Sequence, residues 1–211
     1  MLPSKEEIYE SLAAKHGREV QEKLADAEVA ICGLGGLGSA IAISLSRAGV
    51  GKLHLIDFDR VDLSNINRQQ YSYDEIGMAK TDALEKEIRR FSPYCSIEKT
   101  LVKLTEKNVP EILKSDKIIC EAFDRAEEKA MLTNAVLENL PGKILIGASG
   151  MAGHGSSNEI VTRKMMKNYY ICGDGVSEIS AGNGLMAPRV MICASHQANM
   201  VIRIILGKDE V

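Results

Sequence analysis

Glu28-Val29-Ala30-Ile31-Cys32-Gly33-Leu34-Gly35-Gly36-Leu37-Gly38 is a short apolar strand followed by a glycine-rich turn and the opening of a helix. Glycines 33, 35, 36 and 38 let the backbone approach a phosphate, while free amides and the helix dipole face it. Alone the loop is a weak signal, because tight strand-to-helix turns need glycine for their own sake. Asp57 strengthens it: it ends the next apolar run 19 positions after Gly38, close to the ~20-residue spacing at which a carboxylate accepts from ribose hydroxyls. A plain strand-end cap is the competing use of Asp57.

Outward from this unit, short β-branched runs alternate with longer helical periods, the signature of βαβ units. Strands are expected at residues 28–32, 52–58, 96–102, 117–122 and 143–148, with a further run at 159–163. Leu84, Ile88 and Phe91 share one face of a helix over 78–91, and Leu132, Val136 and Leu140 one over 126–140. The expected fold class is α/β, a Rossmann-like, mainly parallel sheet with helices on both faces. Residues 189–206 predict a largely buried helix whose one polar stripe, Arg189, His196, Asn199 and Arg203, is solvated or partner-facing. Residues 5–25 form a helical arm interrupted at Gly17, too short to be a domain, so 1–211 is expected to be one domain with an arm over about 1–26. Gly and Ser mark loops at 147–155 and 172–184.

Composition narrows the function classes. With 45% hydrophobic and 26% charged residues, the chain has the balance of a globular protein and excludes disordered, collagenous and coiled-coil classes. A net charge of −3 without a basic block disfavours an electrostatic grip on nucleic acid. The longest apolar stretch, 27–46, is broken by Glu28, four glycines and three serines, so no membrane span is expected. Met1-Leu2-Pro3-Ser4-Lys5-Glu6-Glu7 lacks the basic-then-apolar order of an export signal, which points to the cytoplasm. Five widely spaced cysteines without a C-x-x-C pair fit neither a disulfide framework nor a four-thiolate zinc site. Cys32, Cys120 and Cys193 lie in apolar segments and are expected in the core, whereas Cys172 in Tyr170-Ile171-Cys172-Gly173-Asp174-Gly175 is expected to be an exposed loop thiol.

An NAD enzyme and an ATP enzyme share the features above. The polar run Asp57-Phe58-Asp59-Arg60-Val61-Asp62-Leu63-Ser64-Asn65-Ile66-Asn67-Arg68-Gln69 separates them. Together with the glycine loop, Gly77-Met78-Ala79-Lys80 and Asp124, it resembles the ThiF/MoeB family, adenylyltransferases for ubiquitin-like sulfur carriers and relatives of ubiquitin-activating enzymes. The resemblance spans about residues 17–207. It implies ATP and Mg²⁺, with Gly33, Gly35, Gly36, Gly38, Asp57, Asp59, Ser64, Asn65, Arg68, Lys80, Asp124 and Arg125 at the nucleotide. Within that set Arg68, Lys80 and Asp124 are implied as catalytic, Arg68 on phosphate and Asp124 on the metal. The implied partner is a ubiquitin-like sulfur carrier ending in Gly-Gly, converted to an acyl-adenylate with release of pyrophosphate. A homodimer is implied as well, with Arg18 of Lys15-His16-Gly17-Arg18 the nearest arginine to reach the partner's triphosphate.

The residues support some of this independently. Lys80 extends the Leu84, Ile88, Phe91 stripe yet is charged, and a cation near a helix N-terminus is opposed by the dipole. An anion such as a triphosphate would compensate it, or the side chain snorkels to the surface. The Arg68 fork suits phosphate oxygens, and equally a salt bridge to Asp59 or Asp62. Asp124 follows an apolar strand at the sheet's carboxyl edge, where open α/β sheets bind ligands, and serves equally as a cap before Ala126.

Two departures matter. Many relatives carry two C-x-x-C pairs for structural zinc, and none is expected here; some use a crossover-loop cysteine in sulfur transfer, for which Cys172 is the position. Gly184-Leu185-Met186-Ala187-Pro188-Arg189 is most similar to compact ThiF proteins, implying thiamine thiazole synthesis, with molybdopterin-type carriers and tRNA-modifying dehydration as neighbours. An NAD-dependent oxidoreductase accounts for the loop and Asp57 but leaves Arg68, Lys80 and Asp124 without a function.

Overall fold

Apolar residues on both parities of a strand predict burial on both faces, and β1 (Glu28–Cys32) shows it directly. In the computed structural model, which describes residues 2–211, Val29 and Ile31 face one core cluster and Ala30 and Cys32 another. The same alternation puts Leu53 and Leu55 of β2 (Lys52–Asp57) in the first cluster and Ile56 in the second. Each such fully buried aliphatic side chain contributes about 1.5–3 kcal/mol, so register is strongly specified.

The sheet has seven strands. β3 (Ser96–Leu101), β4 (Ile118–Glu121) and β5 (Ile144–Ala148) join β1 and β2 close to the expected positions. β6 (Val161–Met166) and β7 (Tyr169–Gly173) close the order β3-β2-β1-β4-β5-β7-β6, and only β6 runs antiparallel, to β7. The strand expected at 159–163 is therefore the first half of a hairpin. Its second half corrects the loop assigned from residue 172: the aromatic run 169–172 pairs in parallel with β5, and the glycines begin only where β7 ends.

Helices cover both faces. α1 (Lys5–His16) and α2 (Arg18–Ala25) form the arm, broken at Gly17 with φ 98°; Ser4 and Glu7 close a capping box at its start. α3 (Gly36–Ala48), α4 (Lys80–Arg89) and α7 (Ala187–Ile205) pack on the first cluster, and α5 (Val109–Ile112) and α6 (Ala126–Asn139) on the second. Gln197 fastens α7 to the sheet, donating to the carbonyls of Glu121 and Ile146 at 2.9 and 3.0 Å. On the same helix the expected solvated stripe is corrected at Arg189, which is buried. Among the described residues no helix is long and apolar enough to cross a membrane.

β1 lies between β2 and β4, so the chain leaves it in opposite directions on its two sides. A crevice opens at such a switch point, beyond the strands' carboxyl ends.

Candidate functional site

That crevice is a cleft of about 890 Å³. Gly33, at φ 90°, starts the turn after β1, and a Cβ there would meet Phe123 at 2.8 Å and the Ala122 carbonyl at 3.0 Å. Gly38 does not line the cleft; a Cβ on it would lie 1.8 Å from the Gly33 carbonyl oxygen, so its role is close helix-to-turn packing. α3 starts from Gly35 without a side-chain cap, and the first amides of a helix have no carbonyl within it to bond. Gly35 and Gly36 sit on the cleft wall, so this amide set faces a ready anion site.

Asp57, at the end of β2, accepts from the Leu34 amide at 2.6 Å and the Asp59 amide at 2.8 Å. It braces the glycine turn and lines the cleft; each carboxylate oxygen keeps a second lone pair for a further donor. Lys80 opens α4, is buried, and pairs with Asp59 at 2.9 Å. The anion that compensates it here is thus a neighbouring carboxylate. Arg68 donates to the Ser64 carbonyl at 3.1 Å and the Asn67 side chain at 3.0 Å, leaving its buried Nε without a partner among the described residues. Neither Asp59 nor Asp62 pairs with it; Asp62 caps the short turn at Leu63–Asn65.

Asp124 is exposed at the cleft, forms no ion pair among the described residues, and does not cap α6, whose N-cap is Arg125. Arg125 also lines the cleft. Ser64 and Asn65 do not: they belong to the Asp62-capped turn, with Ser64 donating to Asp62 at 2.7 Å. Among the described residues no group of three or more His, Cys, Asp or Glu could hold a metal ion. Asp124 thus offers one carboxylate, and Mg²⁺ on it would have to be carried largely by water and phosphate oxygens.

Other lining residues escaped the sequence reading. Gln69 is buried with its Oε1 unpartnered among the described residues, and its position directly after Arg68 was the available signal. Lys129, one turn beyond Arg125 on α6, pairs with buried Glu121 at 3.0 Å; the i+4 spacing could have found the lysine, but not its partner on β4. Lys103 lies 5.3 Å from the centroid of the half-exposed Phe58 ring at the cleft. Cys172 is corrected outright. It is fully buried in β7, burial pushes its thiol up to about 11 against a lowering hydrogen bond from Thr162, and it does not line the cleft. All five cysteines are buried. Arg18 pairs with Glu10 inside the arm at 2.6 Å.

Comparison with known proteins shows the family and the fold. The sequence profile of the ThiF family matches residues 9–211. A sulfur carrier protein adenylyltransferase from Thermus thermophilus is 34% identical over 131 residues, covering 62% of this chain and 48% of the relative. A molybdopterin-synthase adenylyltransferase from Haemophilus influenzae is 38% identical over 113 residues, covering 53% and 46%. The chain thus spans about half the length of these curated relatives. The solved structure of Escherichia coli tRNA N6-threonylcarbamoyladenosine dehydratase in complex with ATP superposes with a TM-score of 0.86 over 99% of this chain and 98% of that one, at 21% identity, a likeness of fold. With a family profile covering nearly its whole length and a fold that matches, the chain belongs to the ThiF family.

Proposed function

We propose that this chain adenylates the C-terminal glycine carboxylate of a ubiquitin-like sulfur carrier protein, consuming ATP and releasing pyrophosphate. The observation that carries the proposal is the convergence of the glycine turn, Asp57, Arg68, Lys80 and Asp124 on one cleft at the switch point of a ThiF-family chain. The uncapped start of α3 leaves unmet donors, and Arg68 lines the cleft without a carboxylate partner among the described residues; a triphosphate would supply acceptors to both.

The carrier carboxylate is ionised at neutral pH and needs no general base. Its oxygen attacks the α-phosphorus, the bond to the bridging oxygen toward the β-phosphorus breaks, and pyrophosphate leaves with that electron pair. Catalysis reduces to alignment and charge neutralisation. Asp57 would accept from the ribose, the α3 amides and the Arg68 fork would hold phosphate oxygens, and Lys80 would exchange Asp59 for phosphate. Asp124 would hold Mg²⁺, which when bound neutralises part of the triphosphate charge. The reading includes a cytoplasmic homodimer whose Arg18 reaches the partner's site, for which the Arg18–Glu10 pair would have to open.

A carrier for thiamine thiazole synthesis is the proposed substrate, supported by the resemblance of residues 184–189 to compact ThiF proteins; the name of the Thermus thermophilus relative supports a sulfur carrier without naming its pathway. A molybdopterin-type carrier is the close neighbour. The second reading, tRNA-modifying dehydration by way of an adenylate, is favoured by the end-to-end superposition on the Escherichia coli dehydratase; the net charge of −3 counts against it. Exchange of radiolabelled pyrophosphate into ATP, run separately with purified Gly-Gly carriers and with tRNA, tests both. Exchange supported by a carrier is the expected result. Exchange with tRNA alone would establish the second reading, and binding of NAD without ATP would overturn both.

A further inference from the structure

One wall of the cleft is made by two loops that interlock: 149–153 after β5 and 173–184 after β7. A Cβ on Gly173 would lie 1.8 Å from the Ser149 carbonyl oxygen, and one on Gly150 would lie 2.0 Å from Asp174 Oδ1. Main-chain bonds stitch the loops, from Asp174 N to Gly150 O at 2.9 Å and from Gly153 N to Gly184 O at 2.8 Å. Two glycines and a backbone ladder explain close approach, but they do not tie the pair to the rest of the fold.

Arg189 does. Rooted in the first turn of α7 and only 4% exposed, its guanidinium donates through Nη1 to the Ala152 carbonyl at 2.7 Å and through Nη2 to Asp174 Oδ2 at 2.8 Å. Glu159 lies 3.3 Å from the same Nη2. Asp174 in turn accepts from the amides of Val176 and Ser177, both at 2.8 Å, and the Ser177 hydroxyl accepts from the Ala152 amide at 3.0 Å. One planar fork therefore joins α7 to both loops.

These loops present Gly150, Met151, Ala152, Ser177, Glu178 and Ile179 to the cleft. They follow β5 and β7, across β4 from the strands that carry the glycine turn and Asp57. Small and apolar side chains with main-chain groups, and no lysine or arginine on either loop beside the acidic Glu178, suit a narrow polypeptide tail better than a triphosphate. We infer that Arg189 is a positioning residue for the carboxylate-bearing substrate: it fixes the wall along which the carrier's tail lies, and so governs KM for the carrier and not affinity for ATP. The inference rests on the adenylation reading above.

The test uses the full chain, ATP and a purified ubiquitin-like carrier ending in Gly-Gly that supports pyrophosphate exchange. Arg189→Lys keeps a cation beside Asp174 but loses the second arm of the fork; Arg189→Met strands a buried carboxylate and risks unfolding, so the lysine variant decides. Arg189→Lys should raise KM for the carrier about tenfold while kcat and the Kd for ATP stay within about twofold. Amide hydrogen exchange should accelerate at residues 149–153 and 174–177 but not at Leu34. An unchanged carrier KM, or an ATP Kd weakened by the same factor, overturns the inference and leaves adenylation standing. Absence of exchange in the wild type with every Gly-Gly carrier overturns carrier adenylation, and this inference with it.

Discussion

Lys80 Nζ lies 2.9 Å from Asp59 Oδ2, a buried ammonium at the first turn of α4 held by a carboxylate that is itself half exposed. The helix dipole opposes a cation there, so Lys80 needs an anion in every state of the protein. Asp59→Asn removes the resident one and should destabilise the chain by about 1–3 kcal/mol. Because a bound triphosphate would restore a partner, ATP should raise the thermal midpoint of Asp59→Asn by more than it raises that of the wild type. Thermal unfolding with and without ATP measures both. An equal ATP shift in the two proteins would mean that Lys80 keeps Asp59 when nucleotide binds.

Gly35 and Gly38 separate folding from binding within one motif. A Cβ on Gly35 meets nothing closer than Gln69 Nε2 at 3.8 Å, whereas one on Gly38 would lie 1.8 Å from backbone oxygen. Gly38→Ala should therefore cost about 2 kcal/mol or more, the range for overpacking against an element that cannot yield. Gly35→Ala should unfold within about 0.5 kcal/mol of the wild type yet bind ATP at least about tenfold more weakly, because the methyl would occupy the approach of the phosphates. Urea unfolding and calorimetric titration with ATP check the pair. Unimpaired ATP binding by Gly35→Ala would place the phosphates elsewhere.

What could be read in advance was local. β1, β2 and β4 declare themselves through continuous apolar runs with a turn at each end; Asp57 ends β2 and Asp124 follows β4 by three residues, whereas Arg68 and Lys80 lie 11 and 23 residues beyond β2 and were marked by the motif resemblance. β7 was illegible because an aromatic run followed by glycines resembles a loop until its partner, β5, is known. Arg189 was illegible for the same physical reason. Its position on α7 gives a polar stripe, and only the partners Asp174 and Ala152, 15 and 37 residues away in the chain, make it a buried bolt. Cys172 failed with β7, since a thiol's reactivity follows its burial.

Asp124 offers a substitution with little structural cost. Exposed, outside any ion pair among the described residues and not a cap of α6, it makes no contribution that alanine would remove from the fold. Asp124→Ala should keep its stability within about 0.5 kcal/mol of the wild type while pyrophosphate exchange is abolished. If exchange persists, Asp124 has no place at the metal; if exchange returns only at raised Mg²⁺, the carboxylate serves affinity alone.

Asp174 should leave a signature in acid. Burial pushes its carboxyl up, but the amides of Ser177 and Val176, the Ser177 hydroxyl and Arg189 outweigh that and hold it well below the usual carboxylate range. With the folded value depressed, the unfolded chain binds more protons as pH falls. The stabilisation is complete above the ordinary value of 3.8 and is lost as pH drops through it toward the folded value. Asp174→Asn should thus be less stable than the wild type at neutral pH, on the order of 2 kcal/mol for a lost charge-assisted bond. Its stability should also fall less steeply below about pH 4, where each further unit removes at most ~1.4 kcal/mol from the wild type through this one group. Urea unfolding between neutral pH and pH 3 then gives two curves that converge. Parallel curves would show that the carboxylate is not held by Arg189 in solution, and would remove the ion pair that ties the two loops to α7.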